Sequence, residues 1–283
     1  MSKDRDSGQT TVVLALDGSP AAATAVQPAL SLAQQLGAPL RILHVGPQRF
    51  EERELRQHLS LDTSELDQVE ITLEIGEPAE CILRATDDPE VQVVVMTTHG
   101  RVVEPGRRLG SVATKVIAHA TEPVLLIRPE APSARTPFKK LLLPLDGAPK
   151  TAYALTSATD LACSLGASVD VLYVASHATR RGEPGGIEVP RYIDQAHHEW
   201  PSWAQEVVEQ LCACAKVAPE VPVRVFLSQG PIGPEIARFA LEHQYEAIIL
   251  VRRSHLEPGR ARVLRAVLDL TSCPILLVGA PSD

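Results

Sequence analysis

Residues 12–20 read Val12-Val13-Leu14-Ala15-Leu16-Asp17-Gly18-Ser19-Pro20, and residues 141–147 read Leu141-Leu142-Leu143-Pro144-Leu145-Asp146-Gly147. Each stretch opens on a short continuous apolar run, the pattern of a strand buried on both faces of a parallel sheet. Ser19 then offers a helix N-cap and Pro20 a first-turn proline. Ala22, Ala25, Val26, Ala29, Leu32, Ala33 and Leu36 follow as one helical stripe, which Gly37 stops and Pro28 kinks or divides.

The two stretches are copies. The offset of 129 that carries Asp17 onto Asp146 also carries Leu36-Gly37-Ala38 onto Leu165-Gly166-Ala167 and Val45 onto Val174. Gly76 meets Gly230 at an offset of 154, and residues 123–127 meet 274–278 at 151, so the second copy holds about 25 extra residues. A unit of this length is a duplicated domain, not a solenoid repeat. The expected domains are 1–130 and 131–283, with a proline-rich joint at 128–137 and an insert at 176–203. In the first copy, strands are expected at Val12–Leu16, Leu40–Val45, Val69–Ile75, 91–96 and Val124–Ile127. Helices are expected at 51–59, 78–86 and 112–120. This alternation predicts an α/β fold: two tandem doubly wound, Rossmann-like domains, each a five-stranded parallel sheet with helices on both faces. Ligands in such sheets bind beyond the carboxyl ends of the strands, where the strand order switches.

At those ends stand Asp17 after the first strand, Val45 at the end of the second, and Met96-Thr97-Thr98-His99-Gly100 at the fourth. Nine residues later, Gly110-Ser111-Val112 opens a helix. Glycines permit close backbone approach, and a helix N-terminus presents unpaired N–H groups with a partial positive charge, an arrangement suited to a phosphate chain. The same residues would also serve as an ordinary N-cap.

Together these segments resemble the universal stress protein family, whose loop carries glycine, two residues, glycine, nine residues, glycine and then serine or threonine. Gly100, Gly110 and Ser111 match that spacing, and Thr97 stands where the first glycine belongs. The resemblance to the ATP-binding branch implies Asp17 and Val45 at adenine and ribose, and Gly100, Gly110 and Ser111 at phosphate. Met96, Thr97 and Val112 would flank them. ATP, with or without magnesium, is the implied ligand, and the Cβ of Thr97 predicts weakened rather than abolished binding. It also implies pairing of the two domains within one chain through their apolar fifth strands, a pseudo-dimer. Association of two chains is left open.

Other chemistry finds less support. The glycine loop lacks a following lysine, so it is no P-loop. His99 has no carboxylate placed by the motif to orient it. His197 and His198 diverge by about 100° on a helix, and Cys212 and Cys214 by about 200°, which disfavours a shared metal in either pair. Trp203, Val207 and Leu211 share a helical stripe that reads as core, and residues 182–186 read as a flexible loop. No catalytic residue and no metal site are expected. In the second copy Asp146 and Val174 remain, but the glycines and the Gly-Ser pair are gone. Arg252, Arg253, Arg260, Arg262 and Arg265 cluster there instead, read either as an anion site reached by guanidinium groups or, the favoured reading, as a degenerate site whose arginines pair with acidic surface or face water.

Composition bounds the partners. A net charge of −8 disfavours a broad nucleic-acid surface, and no apolar run approaches a membrane span. Five cysteines without CxxC spacing suggest a reducing cytoplasm and no disulfide or zinc framework. Aromatics make up only 4% of the chain, so Val, Leu, Ile and Ala must build the core. The sequence therefore suggests a cytosolic, ATP-binding regulatory or sensor protein rather than an enzyme. A nucleotide-free interaction scaffold and a weak ATPase are the alternatives.

Overall fold

The computed structural model describes residues 10–46, 69–100, 108–131, 136–145, 149–175, 220–252 and 258–279. The expected helix at 51–59, the insert at 176–203 with its histidines and tryptophans, Cys212, Cys214, Asp146 and Arg253 lie outside them. The chain divides into two compact units, Met1–Pro137 and Phe138–Asp283.

In the first unit the elements run β1 (Thr11–Leu16), α1 (Pro20–Ala23), α2 (Val26–Leu36), β2 (Leu40–Gly46), β3 (Val69–Ile75), α3 (Pro78–Asp87), β4 (Val91–Thr97), α4 (Ser111–His119) and β5 (Val124–Ile127). Its strands lie in the order β3-β2-β1-β4-β5, and every pair is parallel. The second unit repeats the plan. It comprises β6 (Lys140–Leu145), α5 (Pro149–Leu165), β7 (Ser168–Ala175), β8 (Val223–Gln229), α6 (Ile232–Glu242), β9 (Ala247–Arg252), α7 (Pro258–Leu270) and β10 (Ile275–Gly279). There the order is β8-β7-β6-β9-β10, again parallel throughout. In both units the chain runs outward one way from the first strand and then crosses to its other side. The switch in strand order thus falls between β1 and β4, and between β6 and β9.

Local chemistry accounts for the boundaries. The stripe from Ala22 to Leu36 is two helices, not one. The chain turns at Thr24-Ala25, and Pro28 falls in the first turn of α2, where a missing N–H costs no helical bond. Gly37 ends α2 in the left-handed conformation at φ 61°, and Gly166 ends α5 at φ 59°. In each case the next N–H reaches back five residues, Ala38 to the Ala33 carbonyl and Ala167 to the Ala162 carbonyl. That closure satisfies the last carbonyls of the helix and favours glycine at the turn.

The cores contain the aliphatic residues the composition requires. Leu14, Ile42, Ile117, Leu125, Leu126 and Ile127 are fully buried in the first unit; Leu141, Leu142, Leu143, Leu155 and Leu172 in the second. The second unit adds an aromatic cluster, with the Phe226 and Phe239 rings 5.2 Å apart and Phe239 4.2 Å from the His243 ring. Beside it, α6 meets α7 so closely at Gly233 that a Cβ there would lie 2.4 Å from the Ala266 Cβ. Gly233→Ala must push the two helices apart. It is expected to cost about 1–3 kcal/mol, measurable as a lower urea midpoint.

One position carries opposite charges in the two units. Arg41 on β2 stands opposite Glu70 on β3, and Asp170 on β7 stands opposite Arg224 on β8. Arg41 reaches Asp88 at 3.2 Å near the surface. Asp170 is fully buried and accepts from Arg224 Nε at 2.8 Å, Arg224 Nη2 at 2.6 Å and the Tyr245 hydroxyl at 2.7 Å. Burial, and then the neighbouring carboxylate of Asp170, hold the Tyr245 phenol well above its ordinary pKa.

Candidate functional site

The site residues of the first unit collect at the carboxyl ends of β1 and β4, where the strand order switches. β1 stops at Leu16, and Gly18 at φ 74° turns the chain into α1. Asp17 is fixed in that turn, its Oδ1 accepting the Ser19 N–H at 2.9 Å. Ser19 in turn caps α1 by accepting the Ala22 N–H at 3.1 Å. The adjoining strand β4 ends at Thr97 and continues into Thr98, His99 and Gly100. Asp17 and Gly100 meet there. A Cβ on Gly100 would fall 2.0 Å from Asp17 Oδ2, so a side chain there would displace the carboxylate that lies against this backbone.

The helix α4 returns to the same place. The Gly110 N–H donates to the Thr98 carbonyl at 2.8 Å, and the Thr98 N–H donates to the Ile127 carbonyl at 2.9 Å, which pins the helix start to the ends of β4 and β5. Gly110 is the N-cap without a side-chain cap, and the first helical bond is Thr114 N–H to Gly110 O at 2.9 Å. Helix geometry therefore leaves the N–H groups of Ser111, Val112 and Ala113 with no acceptor inside the helix. Ser111 is exposed at this mouth and Val112 is half-buried.

The remaining candidates lie deeper. Val45, one position past the Leu16–His44 pairing on β2, is 7% exposed, and Met96 on β4 is 5% exposed. Thr97 is 7% exposed, so its Cβ and hydroxyl are buried in the fold and are not displayed on the outer surface of the loop. The structure thus brings Asp17, Gly100, Gly110 and Ser111 together. Val45 lies on the neighbouring strand β2, one position past the residue paired with Leu16 and so level with Asp17.

One participant was not visible in the motif. His99 is 8% exposed, and its ring is held at both nitrogens. Nδ1 is 3.1 Å from Thr98 Oγ1, and Nε2 is 3.5 Å from Glu130 Oε1. The motif places no carboxylate beside His99; the fold brings one, Glu130, from outside the motif. Glu130 comes from the segment after β5, and only the β4–β5 neighbourhood brings it within reach. Burial pushes the Glu130 carboxyl upward, but its own N–H and the charges of Arg128 and His99 outweigh this and hold it below the usual range. On α4, Lys115 is drawn toward α3 by Glu77 at 3.2 Å and Glu80 at 3.4 Å.

The second unit offers a different surface. The strand pairings place Val94 opposite Val124 in one unit and Ile248 opposite Ile275 in the other. By this register Arg252 occupies the position of Thr98. Arg252 is 7% exposed, contrary to the expectation that these arginines lie on the surface, whereas Arg262 and Arg265 are exposed as expected. The Arg260 side chain lies outside the described residues.

Comparison with known proteins follows the same division. A sequence profile described as the universal stress protein family matches residues 9–128 and again residues 137–279. A universal stress protein of Mycobacterium tuberculosis is 27% identical over 314 aligned positions, covering 96% of either chain. A universal stress protein structure from Archaeoglobus fulgidus superposes with a TM-score of 0.61 at 15% identity, over 96% of this chain and 98% of that one. A Pseudomonas aeruginosa protein of unknown function superposes at 0.65 with 13% identity, over 96% and 93%. Among the described residues no helix is long and apolar enough to cross a membrane.

Proposed function

The chain belongs to the universal stress protein family, and from that premise we propose that it binds ATP, chiefly in its first unit, as a cytosolic nucleotide-dependent regulatory module. The observation that carries this reading is the meeting of Asp17 and Gly100 beside the uncapped N-terminus of α4. Three helix-end N–H groups and the Ser111 hydroxyl would receive the phosphates, supported by the positive end of the helix. Gly110 suits that task. A Cβ there meets nothing nearer than 3.5 Å, so the glycine does not serve tight internal packing, and its bare backbone leaves the cradle open. Asp17 would meet the adenosine, with Val45 and Met96 supplying apolar surface toward the base. The burial of Thr97 supports phosphate approach despite the missing glycine.

A regulatory rather than hydrolytic role is part of the proposal. Phosphoryl transfer needs a positioned nucleophile and a group to accept its proton. The imidazole of the loop is buried, with Thr98 at one ring nitrogen and Glu130 near the other. Calorimetric titration of the purified chain with ATP, with and without magnesium, tests the reading. Saturable binding in the micromolar to low millimolar range, about −8 to −4 kcal/mol, is expected. Absence of heat and of any protection against thermal unfolding at several millimolar ATP would reject it.

A further inference from the structure

Resting on the nucleotide reading above, we propose that Glu130 is a positioning residue for the phosphate cradle. It acts through His99 and sets affinity for the triphosphate separately from affinity for the nucleoside. Both ends of the cradle meet at His99. The Gly110 backbone adjoins it, since a Cβ on Gly110 would make an ordinary contact with the His99 Cα at 3.5 Å. The carbonyl of the preceding residue, Thr98, accepts the Gly110 N–H. Tilting His99 therefore moves the N-cap of α4, and with it the direction of the Ser111 and Val112 N–H groups.

The ring is held at two points. Nδ1 shares a hydrogen bond with the Thr98 hydroxyl at 3.1 Å, and Nε2 lies 3.5 Å from Glu130 Oε1. Glu130 is itself held by Arg128, whose Nε lies 3.4 Å from Oε2 and whose side chain is 12% exposed. The carboxylate is half-exposed at 51% and contacts the residue that borders the proposed phosphate mouth. As a bare charge there it would repel phosphate. As the anchor of His99 it would improve phosphate binding, and the two roles predict opposite signs.

The test uses the full chain with Glu130→Gln and, separately, His99→Gln, whose amide can still reach Thr98. ATP and adenosine affinities are measured by calorimetry, and amide exchange at Thr98 and Gly110 is followed in the ligand-free protein. Glu130→Gln is expected to weaken ATP about tenfold and speed exchange at Gly110 about tenfold, as loss of the charge that holds the imidazole does. Adenosine affinity should change less than about twofold, and the double variant should be no worse than the single ones, as expected for residues in one network. Tighter ATP binding by Glu130→Gln would overturn the proposal, as would equal losses for ATP and adenosine, or an unchanged Gly110 amide. If the unmodified protein binds neither ligand, the nucleotide reading falls, and exchange at Gly110 decides the positioning role by itself.

Discussion

Gly110→Asp is expected to abolish ATP binding while leaving the protein as stable as before, or slightly more so. Gly110 has φ −70°, an ordinary conformation for any residue, and a Cβ there meets the His99 Cα at 3.5 Å, an ordinary contact. The substitution is therefore tolerated by the backbone. Aspartate is a better N-cap than glycine by a few tenths of a kcal/mol, and a carboxylate at a helix N-terminus gains about 0.3–1 kcal/mol from the helix dipole. The same carboxylate would take up the N–H groups proposed for phosphate and face the triphosphate with like charge. Like-charge juxtaposition costs several kcal/mol, so ATP affinity should fall by about 100-fold or more. Calorimetry and thermal unfolding on one sample check both halves of the expectation. An interaction scaffold that ignores nucleotide would keep its partner binding in this variant and show no ATP heat in either protein.

Asp170→Ala should produce the largest loss of stability. This carboxylate is fully buried and accepts three hydrogen bonds, two from Arg224 and one from Tyr245. Its removal leaves the buried Tyr245 hydroxyl without its acceptor and opens a gap between β7 and β8. Arg224, with its side chain 60% exposed, can turn to water and softens the loss. An unsatisfied buried hydroxyl costs about 1–3 kcal/mol, and with the lost packing the total should approach about 3 kcal/mol. Native-state exchange of the β7 and β8 amides measures it. Arg41→Ala, the same position in the first unit, breaks one half-exposed ion pair with Asp88 and should cost less than about 1 kcal/mol. A similar loss at both positions would show that the buried network contributes no more than a surface pair.

Much of this architecture was legible because duplication repeats local signals. The Gly37 and Gly166 turns, the apolar strand openings and the strand-end Asp17 are properties of a few adjacent residues. Their periodicity and offset carry the fold directly. Pro28 signalled the division but not its place: the chain breaks at Thr24-Ala25, and the proline is accommodated in the first turn of α2. The candidate site residues could be named because the motif lies at strand ends, and β/α alternation predicts a parallel sheet whose ligands bind there.

What escaped depends on contacts between distant segments. Glu130 follows β5, thirty-one positions beyond His99, and nothing near either residue marks the pair. Asp170 stands inside the apolar run Ser-Val-Asp-Val-Leu-Tyr-Val of β7, a signal that was available, since a lone carboxylate there needs a buried partner. Its partners Arg224 and Tyr245 come from β8 and from the turn before β9, brought together only by the tertiary fold. Arg252 was misread as surface because the loss of the Gly-Ser pair says nothing about whether its replacements point inward.

The central claim is that the N–H groups of residues 111–113 and the Ser111 hydroxyl receive a triphosphate at the switch point of the first unit. A crystal structure grown with millimolar ATP tests it most directly. Phosphate density against Ser111 and Val112, with adenosine toward Asp17 and Val45, is the result expected. A well-ordered α4 N-terminus contacted only by water, in crystals holding abundant nucleotide, would contradict it.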